Sequence, residues 1–87
     1  MMTLNIEHWD FDDIKTVEDL AELLSHGWEF DAEYKGVMYH IENEYAGYSV
    51  VGENEECYFD TPEEFCKKAT IGGDLLKDVI GDVYLTE

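Results

Sequence analysis

Residues 28–42 read Trp28-Glu29-Phe30-Asp31-Ala32-Glu33-Tyr34-Lys35-Gly36-Val37-Met38-Tyr39-His40-Ile41-Glu42. From Trp28 to Tyr34 every second residue is apolar, and Glu29, Asp31 and Glu33 fill the gaps. A period of two is the signature of a strand with one buried and one wet face. Lys35-Gly36 follows as a two-residue turn, in which glycine supplies the positive φ such turns need. Val37, Tyr39 and Ile41 then continue one face, with Met38, His40 and Glu42 on the other. A two-residue turn pairs Tyr34 with Val37, Ala32 with Tyr39 and Phe30 with Ile41, so turn and pattern demand the same register. The segment is a β-hairpin with an apolar face and an acidic face.

The apolar face needs a cover, and the flanking segments supply candidates. Upstream, Thr16 is a candidate N-cap, with Glu18 and Asp19 where the helix dipole favours anions. Val17, Leu20 and Leu24 recur at helical spacing, and Gly27 suits a left-handed C-terminal position. This predicts a helix over 17–26. Residues 3–9 form a candidate short strand, and 10–13 a loop.

Downstream, 43–47 read as a turn, 48–51 as a third strand, 52–56 as an acidic connection and 57–60 as a short fourth strand. Thr61-Pro62-Glu63-Glu64 opens a helix, with Thr61 as N-cap, Pro62 at the first position and Glu64 completing a capping box. Phe65 and Ala69 face inward. Gly72-Gly73 is expected to end that helix and Asp74 to cap a last short one. Val83-Tyr84-Leu85 form a tail strand or an extended docking segment. The fold class is therefore α+β: an antiparallel meander of three to four strands, covered on one face by an N-terminal helix and one or two short C-terminal helices. No linker separates two domains, so residues 1–87 are expected to form one small domain.

Charge sets the bounds on function. Asp and Glu number 22 against five basic side chains, all Lys, for a net charge of −17. Such an excess argues against nucleic acid or an anionic membrane as a direct partner. Disorder is not indicated, because 45% of the residues are hydrophobic and 14% aromatic. Exposed charge of one sign repels itself, so thermal stability should rise with NaCl and on mild acidification. No apolar run is long enough to span a bilayer and the first residues carry no export pattern, so a cytoplasmic location is expected. Cys57 and Cys66 are not a CxxC pair and are expected to be reduced, a single disulfide between them being the alternative.

Carboxylates are too abundant for any pair to designate an acid and a base. Asp10, Asp12 and Asp13 lack the glycine and distal glutamate of a calcium loop. His8, His26 and His40 do not fall in HxH or HxxxH spacing. His26 suits a helix C-terminus, and His40 stands across the strands from Asp31 as a surface charge pair. Cys57 lacks the glycine-rich turn of a nucleophile. The expectation is no catalysis, no cofactor and no metal.

What remains is the acidic face. Glu29, Asp31 and Glu33 stand at about 6.6 Å intervals along one strand. Glu42 joins them across the hairpin, with Glu53, Glu55 and Glu56 extending the field. Ordered carboxylates on a rigid scaffold imitate a nucleic-acid backbone and attract basic proteins by the same electrostatics. Glu29, Asp31, Glu33 and Glu42 are therefore the expected partner-binding residues. The expected partner is a basic protein, a nucleic-acid-binding one being a candidate; the alternatives are an acidic solubilising surface with no designated partner and self-association as a homodimer through apolar or edge-strand contacts.

Tyr58-Phe59-Asp60-Thr61-Pro62-Glu63-Glu64-Phe65 and Ala69-Thr70-Ile71-Gly72-Gly73-Asp74-Leu75-Leu76-Lys77-Asp78-Val79 resemble the ends of small uncharacterised proteins of low-GC Gram-positive bacteria and their prophages. The resemblance covers about a quarter of the chain and consists mainly of helix caps and apolar spacing. It implies a mobile-element origin and no reaction. Small acidic proteins of that setting include inhibitors of host nucleases and of restriction or CRISPR systems, some of them DNA mimics.

Overall fold

The computed structural model describes residues 10–45 and 47–86. The strand expected over 3–9 lies outside them. The protein is an α+β fold in which a helix, an antiparallel four-stranded meander and short C-terminal helices follow one another as expected, with two further short strands between those helices and a fifth sheet strand at the tail.

Helix α1 spans Val17–Ser25. The Thr16 hydroxyl accepts from the Asp19 N–H at 3.1 Å, and the Asp19 carboxylate accepts from the Thr16 N–H at 3.1 Å. This reciprocal capping box satisfies two N–H groups that the first turn leaves unpaired. Val17, Leu20, Ala21, Leu23 and Leu24 are buried. At the far end His26 is the C-cap. The Gly27 N–H donates to the Leu24 carbonyl and the Trp28 N–H to the Leu23 carbonyl. Gly27 has φ +94°, so this pair of bonds is a Schellman ending that only a residue without Cβ enters at little cost.

The ending delivers the chain into β1, Phe30–Tyr34, one pair of residues later than the alternation starts. Trp28 precedes the strand and is half-buried, packed against the core. Strand β2 is Val37–Glu44, β3 Gly47–Gly52 and β4 Glu56–Phe59. The hairpin register is the expected one, with Phe30 opposite Ile41, Ala32 opposite Tyr39 and Tyr34 opposite Val37. Lys35 and Gly36 both take positive φ, 52° and 79°, the backbone of a type I′ turn.

Helix α2 is Pro62–Lys68, and the Thr61 hydroxyl accepts from the Glu64 N–H at 3.2 Å. The expected capping box is only half made. The Glu64 carboxylate turns instead to Lys68, one helical turn on, at 3.5 Å. The helix also stops before Gly72-Gly73. Thr70–Ile71 (β5) and Asp74–Leu75 (β6) pair across those two glycines as a miniature hairpin. Both glycines have positive φ, so they turn a strand rather than end a helix. Asp74 is accordingly no helix cap. The last helix, α3, spans Leu76–Val79 with no side-chain cap, and a 3-10 turn over Ile80–Asp82 follows.

The tail is a strand. β7, Tyr84–Thr86, pairs antiparallel with β1 and gives a five-stranded sheet ordered β4-β3-β2-β1-β7. Leu20, Leu23 and Leu24 of α1 and Phe65 of α2 join Phe30, Ala32, Tyr39, Ile41, Tyr48, Val50 and Leu85 of the sheet in one hydrophobic cluster. Each of the Leu, Ile, Val and Phe side chains among them contributes about 1.5–3 kcal/mol by leaving water. The Phe65 ring sits 5.9 Å from that of Tyr48 and 6.5 Å from that of Phe59. No helix among the described residues is long and apolar enough to cross a membrane.

Candidate functional site

Because the helices share the core with Phe30, Ala32 and their register partners, alternate residues of the same strands form the opposite face. Pairing sets the layout. Tyr84, Glu33 and Met38 lie side by side, and so do Thr86, Asp31, His40, Val51 and Glu56. Glu42, Ser49 and Tyr58 make the next row, and Glu44 stands opposite Gly47. Asp31, Glu33, Glu44 and Glu56 are exposed, and Glu42 is half-buried.

The four residues expected to bind a partner are thus on one side of the sheet, but they are not equivalent. Three of them surround His40. The imidazole Nδ1 is 3.0 Å from Asp31 Oδ1, and Nε2 is 2.9 Å from Glu42 Oε1 and 3.3 Å from Glu29 Oε1. The cross-strand neighbour Asp31 was legible from the register. Glu29 precedes β1, and its contact depends on how the chain leaves α1. The Asp31 bond is the main reason that the imidazolium is favoured and the His40 pKa stands above its ordinary value. Partial burial opposes this, and Glu42 and Glu29 reinforce it.

Glu33, Glu44 and Glu56 have no basic partner among the described residues, and no lysine makes an ion pair on this face. Lys35 instead reaches Asp74 at 3.2 Å. Glu55, expected to extend the field, turns away: its Oε1 accepts from the Gly72 N–H at 2.6 Å and ties the β3–β4 connection to the small hairpin. The Asp10, Asp12, Asp13 stretch is not a plain loop. Phe11–Asp13 form a 3-10 turn in which the Asp10 and Asp13 carboxylates accept from backbone N–H groups.

An open groove of about 670 Å³ runs between α1 and α2, lined by Glu18, Glu22, Glu63, Cys66 and neighbours. Burial, followed by the nearby Glu18 and Glu63, pushes the Cys66 thiol up to about 11. A thiol protonated at neutral pH is a poor nucleophile. Cys57 and Cys66 are both free. His26 pairs with Glu22 at 3.4 Å on α1, in keeping with its expected place at the helix end.

The candidate site is therefore a sheet face with a buttressed histidine and, on the same face, Glu33, Glu44 and Glu56 without a basic partner among the described residues. Comparison of the chain with family models, with curated proteins and with solved structures found no match.

Proposed function

We propose that the outer sheet face is a docking surface for a basic protein, of the kind that mimics DNA toward a nucleic-acid-binding partner. The observation that carries this reading is the common orientation of Glu29, Asp31, Glu33 and Glu42, with Glu44 and Glu56 beside them, on the side of the sheet away from the helices. Strand spacing holds these charges about 6–7 Å apart along the chain. A preformed array of this kind speeds encounter with a positive groove and repels anionic competitors. The function is binding rather than catalysis, in a cytoplasmic protein of mobile-element origin.

Competition with duplex DNA for a panel of basic DNA-binding proteins tests this. The wild type is expected to displace DNA at low salt, with a steep loss as NaCl rises. The triple variant Glu29→Lys, Asp31→Lys, Glu33→Lys should fold and fail to compete. Equal competition by that variant rejects this face.

A second reading has its own support. Met38 and Tyr84, 54% and 68% exposed, flank Glu33 on the same face. Self-association through these apolar groups or through the β4 or β7 edge would appear in sedimentation as a dimer insensitive to salt.

A further inference from the structure

Glu29, His40 and Glu42 each offer one ligand atom, and the three atoms lie within 4.8 Å of one another. On a neutral imidazole with its proton on Nδ1, all three of these atoms are electron-pair donors. The imidazolium serves Asp31 with one ring N–H and Glu42 with the other; once Nε2 gives up its proton, the Asp31 carboxylate keeps the remaining one on Nδ1. In the metal-free imidazolium the place between the three atoms is filled by the Nε2 proton, which faces Glu42 at 2.9 Å and Glu29 at 3.3 Å; a bound cation takes the place of that proton. An acidic cluster alone has no preference among cations. Here a nitrogen is fixed between two carboxylates and clamped from behind.

We propose that Glu29, His40 and Glu42 form a binding site for a divalent first-row transition ion such as Zn²⁺, with Asp31 positioning the imidazole. Ligand bonds of about 2.0–2.2 Å set neighbouring donors of a tetrahedral or octahedral shell about 2.9–3.5 Å apart. The two imidazole–carboxylate separations already fall in that interval. One nitrogen and two oxygens suit Zn²⁺ and its neighbours, whereas Mg²⁺ and Ca²⁺ favour oxygen alone. The carboxylate behind the histidine repeats the arrangement that orients metal-bound imidazoles and raises their basicity. His40 and Glu42 are two apart on β2, on the same face, so the pleat brings them together without distortion. A metal ion held there runs against the expectation of none drawn from the sequence. The site does not depend on a basic partner, although a bound dication would reduce the charge of the face and weaken such docking.

The test is titration of the full chain with zinc chloride, followed by calorimetry and by ¹⁵N NMR of the imidazole nitrogens. Excess Mg²⁺ and near-physiological salt suppress unspecific counterion binding. One site is expected, with the His40 Nε2 resonance moving to a metal-bound position. His40→Gln, which removes a ligand, should weaken binding by more than the roughly ten- to hundredfold that loss of a residue orienting a ligand costs. Glu53→Gln, an exposed carboxylate elsewhere, should change nothing. Zinc binding unaltered by His40→Gln overturns the proposal. So does a His40 resonance that stays in place at saturation, which reads the site directly and is blind to ions held by Cys57, Cys66 or His26.

Discussion

The Tyr34 hydroxyl donates to Asp74 Oδ2 at 2.6 Å, across forty residues of chain. The same oxygen lies 3.2 Å from Lys35 Nζ. The end of β1 and its turn thereby clasp the small β5–β6 hairpin, while the Tyr34 ring stays in the core. These two bonds, Tyr34 first and then Lys35, hold the Asp74 carboxyl below its ordinary pKa.

A depressed folded-state pKa contributes stability above the unfolded value and loses it as pH falls through the folded one. Asp74→Asn should therefore lower the Tm at neutral pH. The gap from wild type should close below about pH 4, the unfolded carboxyl range. Calorimetry between acid and neutral pH measures both, and a gap constant across that range contradicts the clasp.

His40 has the opposite sign. Its folded pKa is raised, chiefly by Asp31, so its contribution is complete below about 6.5 and fades as pH rises through the higher folded value. In chelator-treated buffer the wild type should lose stability as pH climbs from about 6.5 through that higher folded value. His40→Gln should flatten that segment of the curve. Urea midpoints at the two ends provide the comparison.

Phe65 is fully buried against Tyr48 and Phe59. Phe65→Ala should cost about 3–5 kcal/mol. Small domains have about 5–15 kcal/mol in all. Urea denaturation should thus find the variant at the margin of folding.

Gly47 has φ +93°, and a Cβ there would collide with the Phe59 carbonyl oxygen of the neighbouring strand. Gly36, at φ +79°, has open space around it. Gly36→Ala should cost only the left-handed backbone penalty, about 1–2 kcal/mol. Gly47→Ala should cost more, because β3 and β4 must separate. Thermal denaturation of the two variants ranks them.

With its thiol at about 11, Cys66 should be modified slowly by disulfide reagents at pH 8. The rate should climb with pH well past the ordinary thiol range of about 8.5. Stopped-flow modification of a Cys57→Ser variant isolates the signal.

The hairpin over 30–41 was legible because two local rules agreed: strict alternation and a two-residue turn select a single register. The Thr16 cap was legible in the same way. The β5–β6 hairpin was not, since strands of two residues are too short to carry a period. Asp74 looked like a helix cap because the chemistry that suits a cap also suits a distant hydroxyl and ammonium. In the candidate site, Asp31 beside His40 followed from register. Glu29 did not, because it lies outside the paired strand.

Composition and spacing determined a sheet with one apolar and one acidic face, since side-chain alternation is a local property of an extended backbone. Tertiary structure decided what those charges meet. The return of β7 to β1, the turn of Glu55 toward Gly72 and the convergence of Glu29, Asp31 and Glu42 on His40 join residues that local sequence does not couple. Such contacts depend on the packing of the whole chain, which brings distant segments together to bury a common core.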